Sequence, residues 1–478
     1  MIDDPRLTPR RRHFPCMINE PRASRERRGP PEPRLTRPGG PGTVRGIGPR
    51  APAHPGTALP LPRPPAVYAE YRPVPQPRPR IGFFLRPPGA MGSTVDLDRH
   101  TIAAALAPQM HRLATPALLL DLDAVDLNIA AVVRRAGARR WRPHLKTLKS
   151  SALIERLLAA DVTRWKVATL DELDLALGTA DKLGREADVL LAYPQHPAAL
   201  KAARERAAAS PRCRVQFVLD SLDHAAQLGH AVAVATPMPV QLDVDLGMGR
   251  TGSTVEHWRA ALPALLQDPG LEITGLHGYD GHLAWDERDA ANAAYDSLCA
   301  LARVLVDAGL TNLEIVTSGT HSYAAALAHR GLSGGPWQHT ISPGTVVLAD
   351  LRSPQAMADL DLRQAAFVAT RVISRGVGRV TLDAGSKALA PDRPASSNHI
   401  LGWPGLAPTS ASEEHLVVQV ASGAEVPALG ELVLVVPDHV CTTVNLYRQA
   451  LLLRAGAIAG EAAIEAAGHR LWLTGADA

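Results

Sequence analysis

From Thr115 onward, short apolar runs alternate with longer segments whose apolar residues recur at helical spacing, the signature of repeated βα units. The runs predict eight strands: Ala117–Leu122, Trp141–Leu145, Trp165–Ala168, Asp188–Ala192, Val215–Leu219, Val240–Val244, Ile273–His277 and Leu313–Thr317. Between the first two, Val125, Ile129, Val132 and Val133 share one helix face, and Gly137 just beyond reads as a C′ glycine. Thr169 followed by Glu172 reads as a capping box opening another helix. Eight such units in about 230 residues match an α/β fold of the closed (β/α)8 TIM-barrel type. A doubly wound open sheet is the alternative arrangement of the same pattern.

After about residue 360 the helical segments stop and β-rich runs follow one another: Ala366–Ile373, Arg379–Leu382, His415–Val420, Leu432–Val436 and Ala450–Leu453. Residues 393–412 are rich in Pro, Ser and Gly and read as a loop between strands. The pattern therefore predicts a barrel over residues 113–355 and a smaller C-terminal β domain over residues 356–478.

Composition separates the start of the chain from the rest. Residues 1–90 hold 17 Arg, no Lys and 6 acidic residues, a net of +11 in a chain of total charge +4, so the remainder carries about −7. They also hold 22 of the 41 prolines, which lack amide donors and resist helix, so residues 1–95 are expected to be a disordered, polyproline-like extension. The basic pI of 9.0 belongs to this extension, which removes the argument for a nucleic-acid partner. The extension lacks an apolar signal-peptide core, and it is too rich in Pro and acid for a transit peptide. The run Met91-Gly92-Ser93 reads as an alternative start. No apolar run is long enough for a membrane span. Cys16, Cys213, Cys299 and Cys441 show no disulfide spacing, so a reducing, cytoplasmic setting is expected.

Arg142, His144 and Lys146 alternate along the second predicted strand and so share a face that ends at a barrel mouth. A lysine there fits two readings: a strand-end residue facing solvent, or an amine desolvated for covalent catalysis. His439 and Cys441, two apart, would point the same way on an extended segment and form a zinc-favouring pair. Two protein ligands leave coordination positions open, as a catalytic metal requires, whereas a structural zinc usually takes four.

The stretch from Pro143 to Lys149, Pro-His-Leu-Lys-Thr-Leu-Lys, resembles the cofactor-lysine motif of the D-threonine aldolase and eukaryotic-type D-serine dehydratase family, whose barrel is similar to that of alanine racemase. The resemblance spans about residues 113–475. It includes Thr115-Pro116-Ala117, the run from Asp243 to Gly252, Gly278-Tyr279-Asp280-Gly281-His282, Ser342-Pro343-Gly344-Thr345 and the run from Pro437 to Cys441. It departs at Leu148, where many relatives carry a second His.

The resemblance implies pyridoxal phosphate held on Lys146 as a Schiff base, with His144, Arg250 and Tyr279 against the cofactor. An Arg beside the pyridine nitrogen would make the ring a weaker electron sink than an Asp would. Backbone amides and hydroxyls after the last barrel strands suit a phosphate, which points to Ser318, Gly319 and Thr320, with Gly344 and Thr345 in second place. His439 and Cys441 would hold a divalent metal, zinc favoured and manganese the alternative, against the substrate's β-hydroxyl.

The implied activity is a metal-assisted lyase of β-hydroxy-D-amino acids, either an aldolase or a dehydratase, in a homodimer with no nucleic-acid or membrane partner. Two other readings stand beside it. A racemase of this class needs a second acid–base residue, usually a Tyr of the β domain, and Tyr447 is the only Tyr beyond residue 323. A non-catalytic cofactor carrier would not need the His-Cys pair. If Met91 is the start, the native protein is expected to yield no peptide from residues 20–80, and mass spectrometry detecting one would exclude that start.

Overall fold

The computed structural model describes residues 113–231 and 236–471, so the predicted extension of residues 1–95 and the start at Met91 lie outside the described residues. The first strand, β1 (Ala117–Asp121), leads into the helix Leu122–Ala136. Asp121 caps that helix by accepting from the Asp123 amide, and Gly137 ends it at φ 84°, as the sequence predicted. The Thr169–Glu172 cap is also present, with Thr169 Oγ1 accepting from the Glu172 amide at 3.1 Å.

Seven parallel strands follow in simple order: β2 (Arg164–Val167), β3 (Ala187–Leu191), β4 (Cys213–Leu219), β5 (Met238–Val244), β6 (Leu271–Gly278), β7 (Glu314–Thr317) and β8 (Gln338–Ile341). Their near-continuous burial is that of strands covered on both faces. The eighth stave is the irregular segment 141–144, which lies between β8 and β2. The Arg142 amide donates to the Ile341 carbonyl at 2.8 Å, and the Lys166 amide donates to the Pro143 carbonyl at 2.9 Å. These bonds close the seven strands and this segment into a barrel.

Besides the irregular segment that stands where the strand Trp141–Leu145 was expected, two strand assignments differ from the expectation. The first predicted strand, here β1, leaves the barrel, and Gln338–Ile341, which was not predicted, takes the last place in it. β1 pairs antiparallel with β9 (Ala366–Gly376) and parallel with β15 (Gln449–Arg454). Its run of leucines must be covered on both faces, and a central strand of either sheet would satisfy that, so pattern alone could not choose between them.

The second sheet runs β12–β13–β10–β9–β1–β15–β16, where β10 is Arg379–Leu382, β12 Leu406–Ala411, β13 Leu416–Val420 and β16 Ala457–Ala463. β14 (Leu432–Val436) lies on the other side of β9 and pairs with β11 (His399–Ile400). Both β11 and β12 fall in the stretch expected to be a loop. They are short strands interrupted by Gly and Pro, which hides their alternation.

Inside the barrel the packing is polar as well as apolar. Arg142, with no exposed surface, donates to Glu314 at 3.1 and 2.7 Å, to the Asp188 carboxylate at 3.1 Å and to the Asp188 carbonyl at 2.9 Å. Gln241 and Thr340 also donate to Glu314, at 3.0 and 2.8 Å. Burial alone would lower the guanidinium's pKa, but the two carboxylates outweigh it and hold Arg142 above its ordinary value. Substituting Glu314 with Ala would leave this cation without its main counter-charge. It is expected to cost about 3–5 kcal/mol, read as a lower urea midpoint for the first unfolding transition, and an unchanged midpoint would show that the layer does not brace the barrel.

Candidate active site

Lys146 sits where the eighth stave ends. The segment leaves extended structure at His144, whose Nδ1 accepts from the Lys146 amide at 3.3 Å, and turns through a short 3-10 helix, Leu145–Thr147. Lys146 is therefore on the turn beyond the strand. Arg142 faces the barrel interior, while His144 and Lys146 face a cavity of about 230 Å³ at the barrel mouth. The turn is anchored from below: Lys149 Nζ, at φ 52°, donates to Glu172 at 2.8 Å and to the Ala466 carbonyl at 3.0 Å, and Ser150 Oγ donates to the Ala463 carbonyl at 2.7 Å. The C-terminal domain thus holds the lysine turn in place.

The same cavity is lined by Tyr279, Gly319, Thr320, Gly344, Thr345, His439 and Cys441, all singled out from sequence. Two others lie outside its lining. Arg250 stacks on Tyr279, its guanidinium 4.9 Å from the ring centre, a cation–π contact. Ser318 is fully buried at φ 59°, with no partner for its hydroxyl. Gly319 lies against the Tyr279 ring, 3.2 Å from where a Cβ would stand. At Gly344 a Cβ would fall 2.4 Å from the His144 carbonyl oxygen, so only glycine lets this loop approach the lysine turn.

His439 and Cys441 meet by a different geometry from the one expected. His439 is extended and precedes the short helix Val440–Val444 that contains Cys441. The segment is not a strand, yet the two side chains still interact. That contact, with the nearby Asp392 carboxylate, raises His439 to about 9. Asp392 accepts from His439 Nδ1 at 2.6 Å and from Thr442 Oγ1 at 2.6 Å. Burial works against a thiolate at Cys441, but hydrogen bonding with His439, its charge, and Lys146 together bring the thiol below its usual pKa. Thr147 Oγ1 lies 3.0 Å from the sulfur and Thr345 Oγ1 3.5 Å.

Among the described residues no three or more His, Cys, Asp or Glu side chains form a metal cluster, so His439 and Cys441 stand as a pair. The donor set nevertheless fits a metal with open positions: imidazole and a thiol disposed to ionise, with a carboxylate orienting the histidine. The cavity also fits an anionic cofactor. Ser342 Oγ is buried at its lining without a partner, close to the glycine-bearing turns.

Several lining residues were not anticipated. Lys166 enters from β2, and His321, Ser342, Asp350, Arg352 and Ser353 come from loops after β7 and β8. Lys166 had a signal, a charge inside an otherwise buried run Trp165–Val167; Ser342 stood in the Ser-Pro-Gly-Thr motif without being given a role, and the other four residues had no signal. Tyr447 is not in the cavity lining, and its hydroxyl donates to the Ala388 carbonyl at 3.0 Å.

Residues 120–347 match the alanine racemase N-terminal domain, and residues 365–453 match a putative serine dehydratase domain. The chain belongs to the fold-type III pyridoxal-phosphate enzymes, those built on the alanine racemase barrel. Within that class it is similar to D-threonine aldolases and 3-hydroxyaspartate dehydratases. A D-threonine aldolase of Arthrobacter sp. is 27% identical over 363 residues, covering 73% of this chain and 91% of that protein. The D-threo-3-hydroxyaspartate dehydratase of Delftia sp. strain HT23 is 27% identical over 366 residues, covering 69% and 92%. The crystal structure of a D-threonine aldolase from Filomicrobium marinum superposes with a TM-score of 0.63 at 28% identity, covering 74% of this chain and 95% of that one. Among the described residues no helix is long and apolar enough to cross a membrane.

Of the three described cysteines, Cys213 and Cys299 are pushed up to about 11 by burial, whereas Cys441 is lowered. Iodoacetamide at pH 7 is expected to modify Cys441 first, and zinc to slow that modification. Equal labelling of Cys213 or Cys299 would contradict the site's electrostatics.

Proposed function

We propose that this protein is a pyridoxal-phosphate lyase of β-hydroxy-D-amino acids assisted by a divalent metal. The observation that carries the reading is that Lys146 and the His439–Cys441 pair face one cavity. Support also comes from the relatives, a D-threonine aldolase and a D-threo-3-hydroxyaspartate dehydratase.

Lys146 would hold the cofactor, with Tyr279 and His144 against it and Gly319, Thr320, Ser342, Gly344 and Thr345 around its phosphate. The Ser318 hydroxyl lies behind that turn. When bound, the cofactor supplies an electron sink for charge left at the substrate's Cα. His439 and Cys441 would hold zinc, or manganese, whose contribution is Lewis-acid polarisation of the β-oxygen.

Lys146 would be placed to take the proton from the substrate's Cα. Burial is the main cause that holds His144 well below its ordinary pKa, so it stays neutral and accepts the Lys146 amide proton without adding a charge beside that amine. Arg250 braces the Tyr279 ring by its cation–π contact. Loss of hydroxide after Cα deprotonation gives a dehydratase; deprotonation of the β-hydroxyl followed by Cα–Cβ cleavage gives an aldolase. A homodimer in a cytoplasmic setting completes the proposal.

The test incubates the cofactor- and zinc-loaded chain with D-serine, D-threonine and D-alanine. Pyruvate from D-serine or acetaldehyde from D-threonine supports the lyase; L-alanine alone, or no product, overturns it. Lys146→Ala is expected to abolish the visible absorption of the lysine-bound cofactor, and a retained band would overturn the lysine assignment. Chelation is expected to lower turnover, with recovery on adding zinc or manganese.

A further inference from the structure

A second lysine reaches the cavity from the barrel wall. Lys166, on β2, is only 4% exposed, and its Nζ lies 2.9 Å from His277 Nε2 on β6. His277 Nδ1 in turn lies 2.6 Å from Asp243 Oδ1 on β5, and Asp243 Oδ2 accepts from Thr251 Oγ1 at 2.8 Å. The order fixes the protons. Asp243, lowered by His277 against the cost of its burial, is a carboxylate and accepts from Nδ1–H. His277, lowered first by burial and then by Lys166, is neutral, so its Nε2 accepts from the lysine. One N–H of Lys166 is therefore held inward while the amine lines the cavity.

The groups facing this amine come from every side. Lys146 and Arg142 belong to the adjoining stave, which also carries the neutral His144, Arg250 to the loop after β5, and Asp243 and His277 to β5 and β6. Burial is the largest influence and Lys146 the next; together they bring Lys166 down to about 7, with Asp243 alone among the main influences raising it. A permanently charged structural lysine would be paired directly with a carboxylate, as Lys149 is with Glu172. Lys166 instead contacts a neutral imidazole. The lyase reading requires protons to move at two atoms, Cα and the β-oxygen, and the cavity holds two amines.

We propose that Lys166 is a second acid–base residue of this site, oriented by the Asp243–His277 pair to serve the substrate's β-oxygen while Lys146 serves Cα. The proposal rests on the lyase reading. In cleavage, the β-O–H proton bonds to the Lys166 lone pair, the oxygen's electrons form the aldehyde C=O, and the Cα–Cβ pair stays on Cα, which takes up a proton delivered by Lys146 to leave glycine. In dehydration, the Lys166 ammonium protonates the departing hydroxyl, water leaves, and the pair freed when Lys146 took the Cα proton forms the Cα=Cβ bond. Asp243 and His277 are positioning residues in either case.

The two chemistries demand opposite protonation states. Cleavage needs the amine, so its rate rises as Lys166 deprotonates; dehydration needs the ammonium, so its rate falls over the same interval. The experiment follows the pH dependence of kcat in the full-length, cofactor-loaded chain beside the Lys166 titration by lysine ¹³Cε NMR. A kinetic limb that coincides with the Lys166 titration supports the assignment.

Lys166→Gln is expected to lose that limb and to lower kcat by about 10²–10⁴-fold, with the visible cofactor absorption retained. Asp243→Asn is expected to move both limb and resonance to lower pH, a test that stands even if Lys166→Gln fails to fold. Kinetics of Lys166→Gln within threefold of wild type, or a Lys166 resonance that stays protonated across the active range, would overturn the proposal alone. Wild-type protein that binds cofactor but turns over no β-hydroxy-D-amino acid would sink the lyase reading with it.

Discussion

A guanidinium shut inside the barrel sets the terms for everything above it. Arg142 has no exposed surface, and two carboxylates and two backbone carbonyls from three strands converge on it. Removing a cation from water costs several kcal/mol, so the arrangement persists only if those partners stay in register. The staves around Arg142 are therefore held in register at this level, and the segment that carries Arg142 is the one that ends in Lys146. The hydrogen bonds that close the barrel on either side of it lie within three residues of the lysine turn. Position at the mouth follows from charge balance in the interior.

The second sheet matters to chemistry for the same reason. It takes β1 from the start of the described chain and β15 from its end, and its last residues receive hydrogen bonds from Lys149 and Ser150, just past Lys146. It also supplies His439 and Cys441 from the segment after β14. One domain contributes the amine and the other the imidazole and thiol. Neither set makes the cavity alone, and Gly344 lets the loop after β8 approach the amine closely.

Charge inside the cavity is graded. His144 and His277 are kept neutral by burial, and Asp243 is kept ionised by its hydrogen bonds despite burial. His439 and Cys441 are drawn toward an ion pair. Such opposed shifts within one cavity separate proton donors from proton acceptors and give the site its chemical character.

The residues whose identity is chemical were legible without coordinates: Lys146 in its motif, His439 and Cys441 by type and spacing, and the glycines of the loops after β7 and β8. Two helix ends were legible too, because Thr169 and Gly137 act through local hydrogen bonds and backbone conformation, whereas the Asp121 cap, inside a predicted strand, was not. Three features depended on the fold. β1 could join either sheet because both bury both faces of a central strand. Arg250 and Ser318 fall outside the cavity lining because a loop's direction depends on what it packs against. Lys166, His277 and Asp243 lie on three strands separated by long stretches of sequence, and only closure of the barrel brings them into line. Covalent type and short-range geometry were thus determined by sequence alone, whereas which charges share a dielectric environment was decided by tertiary structure, because that depends on contacts between residues far apart in the chain.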